Sequence, residues 1–158
     1  MIRPIIPSLR EPVRDVFIAE WGSPQMVIST GTYDCATLDG FVAMEEATII
    51  GLITYVIREE ELEIISLDSL RENRGIGSSL LDEVERLARL HRIKRMSLIT
   101  TNDNLRAIAF YQKRGWRLAG IIPGAVDAAR LQKPSIPMIG EHGIPLHDEI
   151  ILRKAITN

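Results

Sequence analysis

The stretch Leu70–Leu81, L-R-E-N-R-G-I-G-S-S-L-L, limits what this chain can fold into more than any other. Before it, Glu61–Leu67 alternates as a strand does; after it, Ile76–His91 carries apolar residues at helical spacing. The chain must therefore pass from strand to helix through Gly75 and Gly77. Glycine lets a backbone come close to a ligand and adopt dihedrals that other residues avoid. The first turn of a helix adds amides without intrahelical partners and the positive end of the dipole. Together they make a seat for a phosphate-bearing ligand.

The neighbouring residues restrict which ligand. A P-loop needs a Lys followed by Ser or Thr after the last glycine, and none is present. A dinucleotide fingerprint needs a third small residue, and Leu80 stands there. Taken alone, the glycines leave two other readings: a nucleotide-binding α/β domain of unusual kind, or a tight strand–helix turn with no ligand.

The chain on either side reads as one ordered domain covering residues 1–158. Hydrophobic residues make up 46% and charged residues 25%, the balance of a globule able to bury a core without disulfides. A formal charge of -2 gives no pull toward nucleic acid or an anionic membrane surface. The single Cys35 excludes a disulfide framework and a multi-cysteine metal site. No apolar run has the length of a membrane span, and Met1–Arg10 lacks the apolar centre of a signal peptide. The expected setting is the cytoplasm, without metal, nucleic acid or membrane.

In order, Met1–Ile6 reads as an edge strand that tolerates Pro4. Ser8–Glu11 has the form of a capping box, and Val13, Val16, Phe17 and Trp21 recur at helical spacing up to Gly22. Trp21 is expected in the core, with the wall of an acceptor pocket as its alternative. Met26–Ile28 reads as a short strand in an otherwise unreadable Gly22–Gly40. Phe41–Met44, Ala47–Ile57 and Glu61–Leu67 are strands joined by tight turns, hence an antiparallel meander. Arg95–Thr100 follows the helix and is expected to run parallel to the strand before it. Asn102 or Asp103 is expected to cap the next helix, which stops at Gly115. Trp116–Ile122 is a further strand, Pro123–His147 a loop-rich insert, and Asp148–Lys154 the last strand.

A second motif joins the first. Thr101–Trp116 reads T-N-D-N-L-R-A-I-A-F-Y-Q-K-R-G-W. With Gly75 and Gly77, the residues Asn104, Ala107, Phe110, Tyr111, Gly115 and Trp116 resemble the GNAT superfamily of acetyl-CoA-dependent N-acetyltransferases. That family writes its loop Gln/Arg-x-x-Gly-x-Gly/Ala and its later helix Asn-x-x-Ala-x-x-Phe-Tyr, then Gly-Phe or Gly-Trp. The resemblance covers roughly Phe41–Ile121. It departs at Glu72, which holds the Gln/Arg position, with Arg71 and Arg74 beside it.

The resemblance implies a mixed, mostly antiparallel sheet of six to seven strands with helices on both faces. Its parallel pair would splay apart where acetyl-CoA enters. It places the coenzyme against Ile65, Ser66 and Leu67 on the strand. Arg71, Asn73, Arg74, Gly75, Ile76, Gly77 and Ser78 would hold it on the loop, and Asn104, Ala107 and Tyr111 on the later helix. It implies an acetyl transfer to a primary amine, of a small molecule or a peptide, by direct attack in a ternary complex. A non-catalytic acyl-CoA sensor is the alternative, and a homodimer is compatible with the family.

The residues suit that chemistry. Asn104, Ala107 and Tyr111 fall on one helical stripe, a polar-small-polar track for a peptide-like arm, while Leu105, Ile108 and Ala109 form an apolar stripe expected to face the core. Amide formation needs an acid for the departing thiolate, a donor for the thioester oxygen and a base for the amine. The resemblance and the stripe together give Tyr111 as the acid. The resemblance gives a backbone N–H near Leu67 as the donor. For the base, alternation puts Glu63 on one face with Ile65 and Leu67, and Glu61, two residues further back, is closest to the position that the resemblance implies from some family members. His142 and His147, in the insert, are expected to be exposed loop residues.

Overall fold

The computed structural model describes residues 1–156. In chain order the elements are β1 (Ile2–Pro4), α1 (Arg10–Trp21), β2 (Gln25–Ile28), β3 (Gly31–Asp34), β4 (Asp39–Glu45), β5 (Thr48–Arg58) and β6 (Glu61–Ser69). They continue with α2 (Ile76–Leu90), β7 (Arg95–Thr101), α3 (Leu105–Lys113), β8 (Arg117–Ile122), α4 (Ala125–Gln132) and β9 (Glu149–Ala155). Seven strands hydrogen-bond in the order β1-β4-β5-β6-β7-β9-β8, and β2 pairs with β3. This is the mixed, mostly antiparallel α/β arrangement expected. The chain groups into two compact units, Met1–Met26 with Tyr33–Met96 and Ile156, and Val27–Thr32 with Ser97–Ala155.

In the first unit β1, β4, β5 and β6 are antiparallel neighbours. The amides of Lys94, just before β7, and Arg95, its first residue, donate to the carbonyl of Glu60, just before β6, at 2.9 and 3.3 Å. Start lies beside start, so β6 and β7 are parallel, with α2 as their connection. A side chain on Gly51 would come within 2.5 Å of Ile76 and 3.2 Å of Leu80, so only glycine lets the beginning of α2 rest on β5. Leu80, Leu81, Val84 and Ala88 bury the apolar stripe of α2.

Helix α1 packs with Val13 and Phe17 fully buried and stops at Gly22, whose φ of 82° lets its N–H reach the carbonyl of Ile18. The capping box expected at Ser8–Glu11 does not form. A short 3-10 turn, Pro7–Leu9, runs straight into α1, and the Arg10 amide is already bonded to the Pro7 carbonyl.

One strand departs from simple alternation. Thr54 pairs with Ser66 but Tyr55 pairs with Ile64, so β6 carries one extra residue, Ile65, as a β-bulge. Beyond the bulge the sides exchange. Thr54 and Ser66 share a side, their hydroxyls 2.5 Å apart, and Leu52 opposite Asp68 continues it. Glu63, Ser66 and Asp68 therefore face α1, while Ile64 and Leu67 face α2. The expectation that Glu63 and Leu67 share a face fails because alternation assumes no inserted residue.

In the second unit α3 begins one residue later than expected. Asn104 is its cap, accepting from the Ala107 amide at 3.2 Å, and neither Asn102 nor Asp103 serves. Tyr111 is the buried residue of this helix, whereas Leu105 is 46% exposed and Ala109 is exposed, so that apolar stripe does not face a core. The segment after β8 is not all loop. It contains α4, started by Gly124 at φ 72° and packed through Val126 and Ala129. Gly22–Gly40 holds the β2–β3 pair, with β2 covering the strand expected over Met26–Ile28.

Candidate active site

The glycine loop has the conformation its residues allow. Asn73 and Gly75 both take positive φ, 58° and 67°, and Gly75 caps α2. Asparagine and glycine are the residues that bear this region at least cost. No side chain caps α2, and its first turn holds no acidic residue. The amides of Ile76 and Gly77 have no partner within the helix. A Cβ at Gly75 would meet nothing within 4 Å, so space in front of the turn is open. Uncapped amides, a first turn free of carboxylates and room in front fit the diphosphate of a coenzyme. Arg74 is held by Glu45 at 2.6 Å, and Arg71 donates to the Leu70 carbonyl. Both arginines stand at the loop, already engaged.

The α1-facing side of β6 carries the carboxylates. Glu63 is 2% exposed and takes a hydrogen bond of 2.7 Å from Arg58 Nη1, whose second nitrogen donates to the Tyr33 hydroxyl. Glu61 pairs with Arg95 Nε at 2.7 Å. Both carboxylates considered from the sequence as bases are thus tied to arginines. Asp68 is different. Its Oδ1 accepts from the Trp21 indole N–H at 3.1 Å, and its Oδ2 is enclosed, with no hydrogen-bond partner among the described residues. Burial pushes its carboxyl up to about 6, against the lowering effect of the Trp21 hydrogen bond. Sequence reading missed Asp68, because its partner lies in α1.

The second unit gathers the other residues of the later motif. Asn104 and Ala107 are joined by the capping bond, and Tyr111 lies one turn beyond Ala107. The Tyr111 ring is clamped edge-on between Phe110, at 5.1 Å, and Trp116, at 5.3 Å. The turn before α3 fastens the insert. Asn102 accepts from the amides of His147 and Asp148 and donates to the Pro145 carbonyl, and Asp103 accepts from the Glu141 amide. His147 Nδ1 lies 3.0 Å from Asp127, whose carboxyl is held below the usual range by His147 and then Arg130. Glu149, buried at the start of β9, accepts from the Ser29 amide. The spacing of these residues in the sequence carries no signal of those contacts. Ile65, Ser66, Leu67 and the loop residues thus assemble in the first unit, and Asn104, Ala107 and Tyr111 in the second.

Comparison with known proteins adds a family. The model described as "Acetyltransferase (GNAT) family" matches residues 6–116. The sequence is 49% identical over 156 residues to YxbD, an uncharacterized protein of Bacillus subtilis (strain 168), covering 96% of this chain and 98% of that one. The fold is shared with the IAA acetyltransferase from Bacillus cereus ATCC 14579, at a TM-score of 0.71 and 22% identity over 98% of each chain. It is also shared with a GNAT family acetyltransferase from Elizabethkingia anophelis with acetyl-CoA bound, at a TM-score of 0.67 and 23% identity, covering 98% of this chain and 97% of that one.

Proposed function

The chain belongs to the GNAT family of acetyltransferases, and from that premise we propose that it moves an acetyl group from acetyl-CoA to a primary amine by direct attack. We read all 158 residues as one acetyltransferase domain. The observation that carries the reading is the uncapped start of α2 behind Asn73 and Gly75, at the place where the family holds its coenzyme.

In this reading the amides of Ile76 and Gly77 grip the diphosphate, and Asn104 and Ala107 line the path of the pantetheine arm. Acetyl-CoA supplies an activated thioester. A backbone N–H near Leu67 stabilises charge on its oxygen. The Tyr111 hydroxyl protonates the departing sulfur, its ring fixed by Phe110 and Trp116. Holding both reactants in one site supplies much of the acceleration. Cys35 is fully buried and outside both motifs, which favours direct attack over an acyl-cysteine.

One observation favours a second reading, a binder of acyl-CoA without turnover: the carboxylates Glu61 and Glu63 are both held by arginines. A screen for thiol release over small amines, polyamines and peptide N-termini separates the two. Amine-dependent release is expected; tight binding of acetyl-CoA with no release from any amine leaves the sensor.

A further inference from the structure

A primary ammonium has a pKa around 10.4 and must lose a proton before its nitrogen can attack. Three carboxylates share the α1-facing side of β6. Two are committed: Glu61 to Arg95 and Glu63 to Arg58, each at 2.7 Å. The third, Asp68, is fixed by an indole in place of a cation. Trp21 Nε1 holds Oδ1 at 3.1 Å, which leaves Oδ2 enclosed and unpartnered among the described residues. An enclosed carboxylate oxygen with nothing to accept is costly to keep, and such a group calls for a partner that arrives from outside.

We propose that Asp68 takes the proton of the incoming amine and that Trp21 positions it, an inference that rests on the acetyl-transfer reading above. Asp68 follows Leu67 directly, so its Cα lies about 3.8 Å from that of the residue whose backbone is the candidate oxyanion donor. The half-buried Trp21 offers an aromatic wall beside the carboxylate, a surface that attracts an ammonium. Charged neighbours are few. Helix α1 brings Glu20, β5 brings the uncharged Leu52 and Thr54, and the next carboxylate on that side of β6, Glu63, is already paired with Arg58. With its carboxyl pushed up to about 6 by burial, Asp68 is ionised at neutral pH yet a stronger proton acceptor than an ordinary aspartate.

The step balances. The ammonium gives one proton to the Asp68 carboxylate, which later passes it to solvent. The neutral nitrogen forms the C–N bond as the C–S bond breaks. A second nitrogen proton ends on sulfur by way of Tyr111, and the third stays on the amide.

The test compares wild type, Asp68→Asn, Asp68→Glu and Trp21→Phe. Calorimetry with acetyl-CoA is run beside pH profiles of thiol release with an amine substrate. Asp68→Asn, which keeps the acceptor for Trp21, is expected to bind acetyl-CoA as wild type does and to turn over at least about 100-fold slower. Wild type should lose rate through an acidic limb near pH 6, absent from Asp68→Asn. Asp68→Glu should recover part of the rate. Trp21→Phe, lacking the donor that lowers the carboxyl, should move the limb to higher pH. Turnover by Asp68→Asn at the wild-type rate overturns this role and leaves the acetyltransferase reading standing. A wild type that binds acetyl-CoA and acetylates no amine overturns both.

Discussion

Arg58 holds its Nη1 2.7 Å from Glu63 Oε1, and the pair is lopsided: the Glu63 side chain keeps 3% of its surface and Arg58 keeps 44%. A buried carboxylate is thus neutralised by a cation that reaches in from solvent and also bonds the Tyr33 hydroxyl. Removing the cation strands the charge. Arg58→Ala should cost about 2 kcal/mol, below the full penalty of a buried pair because the arginine is half in water. Glu63→Gln should cost less and leave turnover within about threefold, since the base lies elsewhere. Urea titrations and initial rates read both, and a wild-type midpoint for Arg58→Ala would sink the assignment.

At Gly75 the demand is for backbone freedom, because a Cβ would have open space while φ stands at 67°. Gly75→Ala should therefore cost about 1 kcal/mol in stability. The amides behind it should lose their aim, weakening acetyl-CoA by at least about twofold, because half a kcal/mol lost at the turn is already that much. Gly75→Asn, which bears positive φ, should recover most of both. Equal affinity of the alanine and glycine proteins in calorimetry would show that the turn does not set the coenzyme.

Tyr111→Phe keeps the ring between Phe110 and Trp116 and deletes only the hydroxyl. Turnover should drop by at least about tenfold, a modest share of the usual acid effect. Acetyl-CoA affinity should change far less. An unchanged rate removes Tyr111 from proton transfer to sulfur.

Asp68 also makes stability depend on pH. Its carboxyl is raised to about 6 in the folded chain, against about 3.9 unfolded, so the folded state favours the protonated form. Its contribution is complete below about pH 4 and lost as pH rises through about 6. Asp68→Asn removes the charge that burial penalises. It should match wild type near pH 4 and be more stable by roughly 2 kcal/mol at pH 7.5. Melts at the two pH values would refute this if the variants kept the same difference at both.

Local chemistry explains what could be read from the residues alone. Gly75 and Gly77 between a strand and a helix specify their turn within a few residues, and the long β5 declares itself by an apolar run. The motif from Asn104 to Trp116 is equally compact. What stayed hidden depends on distant partners or short elements. Trp21 and Asp68 are 47 positions apart. Helix α4 has eight residues and two buried ones, too little periodicity to stand out in a segment rich in Pro and Gly. Strand β3 is four residues long and bounded by turn formers, too short to read, whereas β2 covers the strand expected over Met26–Ile28. The helix cap moved to Asn104 because Asn102 and Asp103 are engaged by the insert.

The doubled step at Ile65 makes the two ways of shortening β6 unequal. Deleting Ile65 would straighten the hydrogen-bond ladder yet leave Ser66 and Asp68 turned toward Thr54 and Trp21, because Ile64 alone then separates Glu63 from Ser66 and residues two apart share a side. Deleting Leu67 instead would swing Asp68 across the sheet and strip Trp21 of its acceptor. Two mutants of identical length thus divide what the kink does from what the carboxylate does.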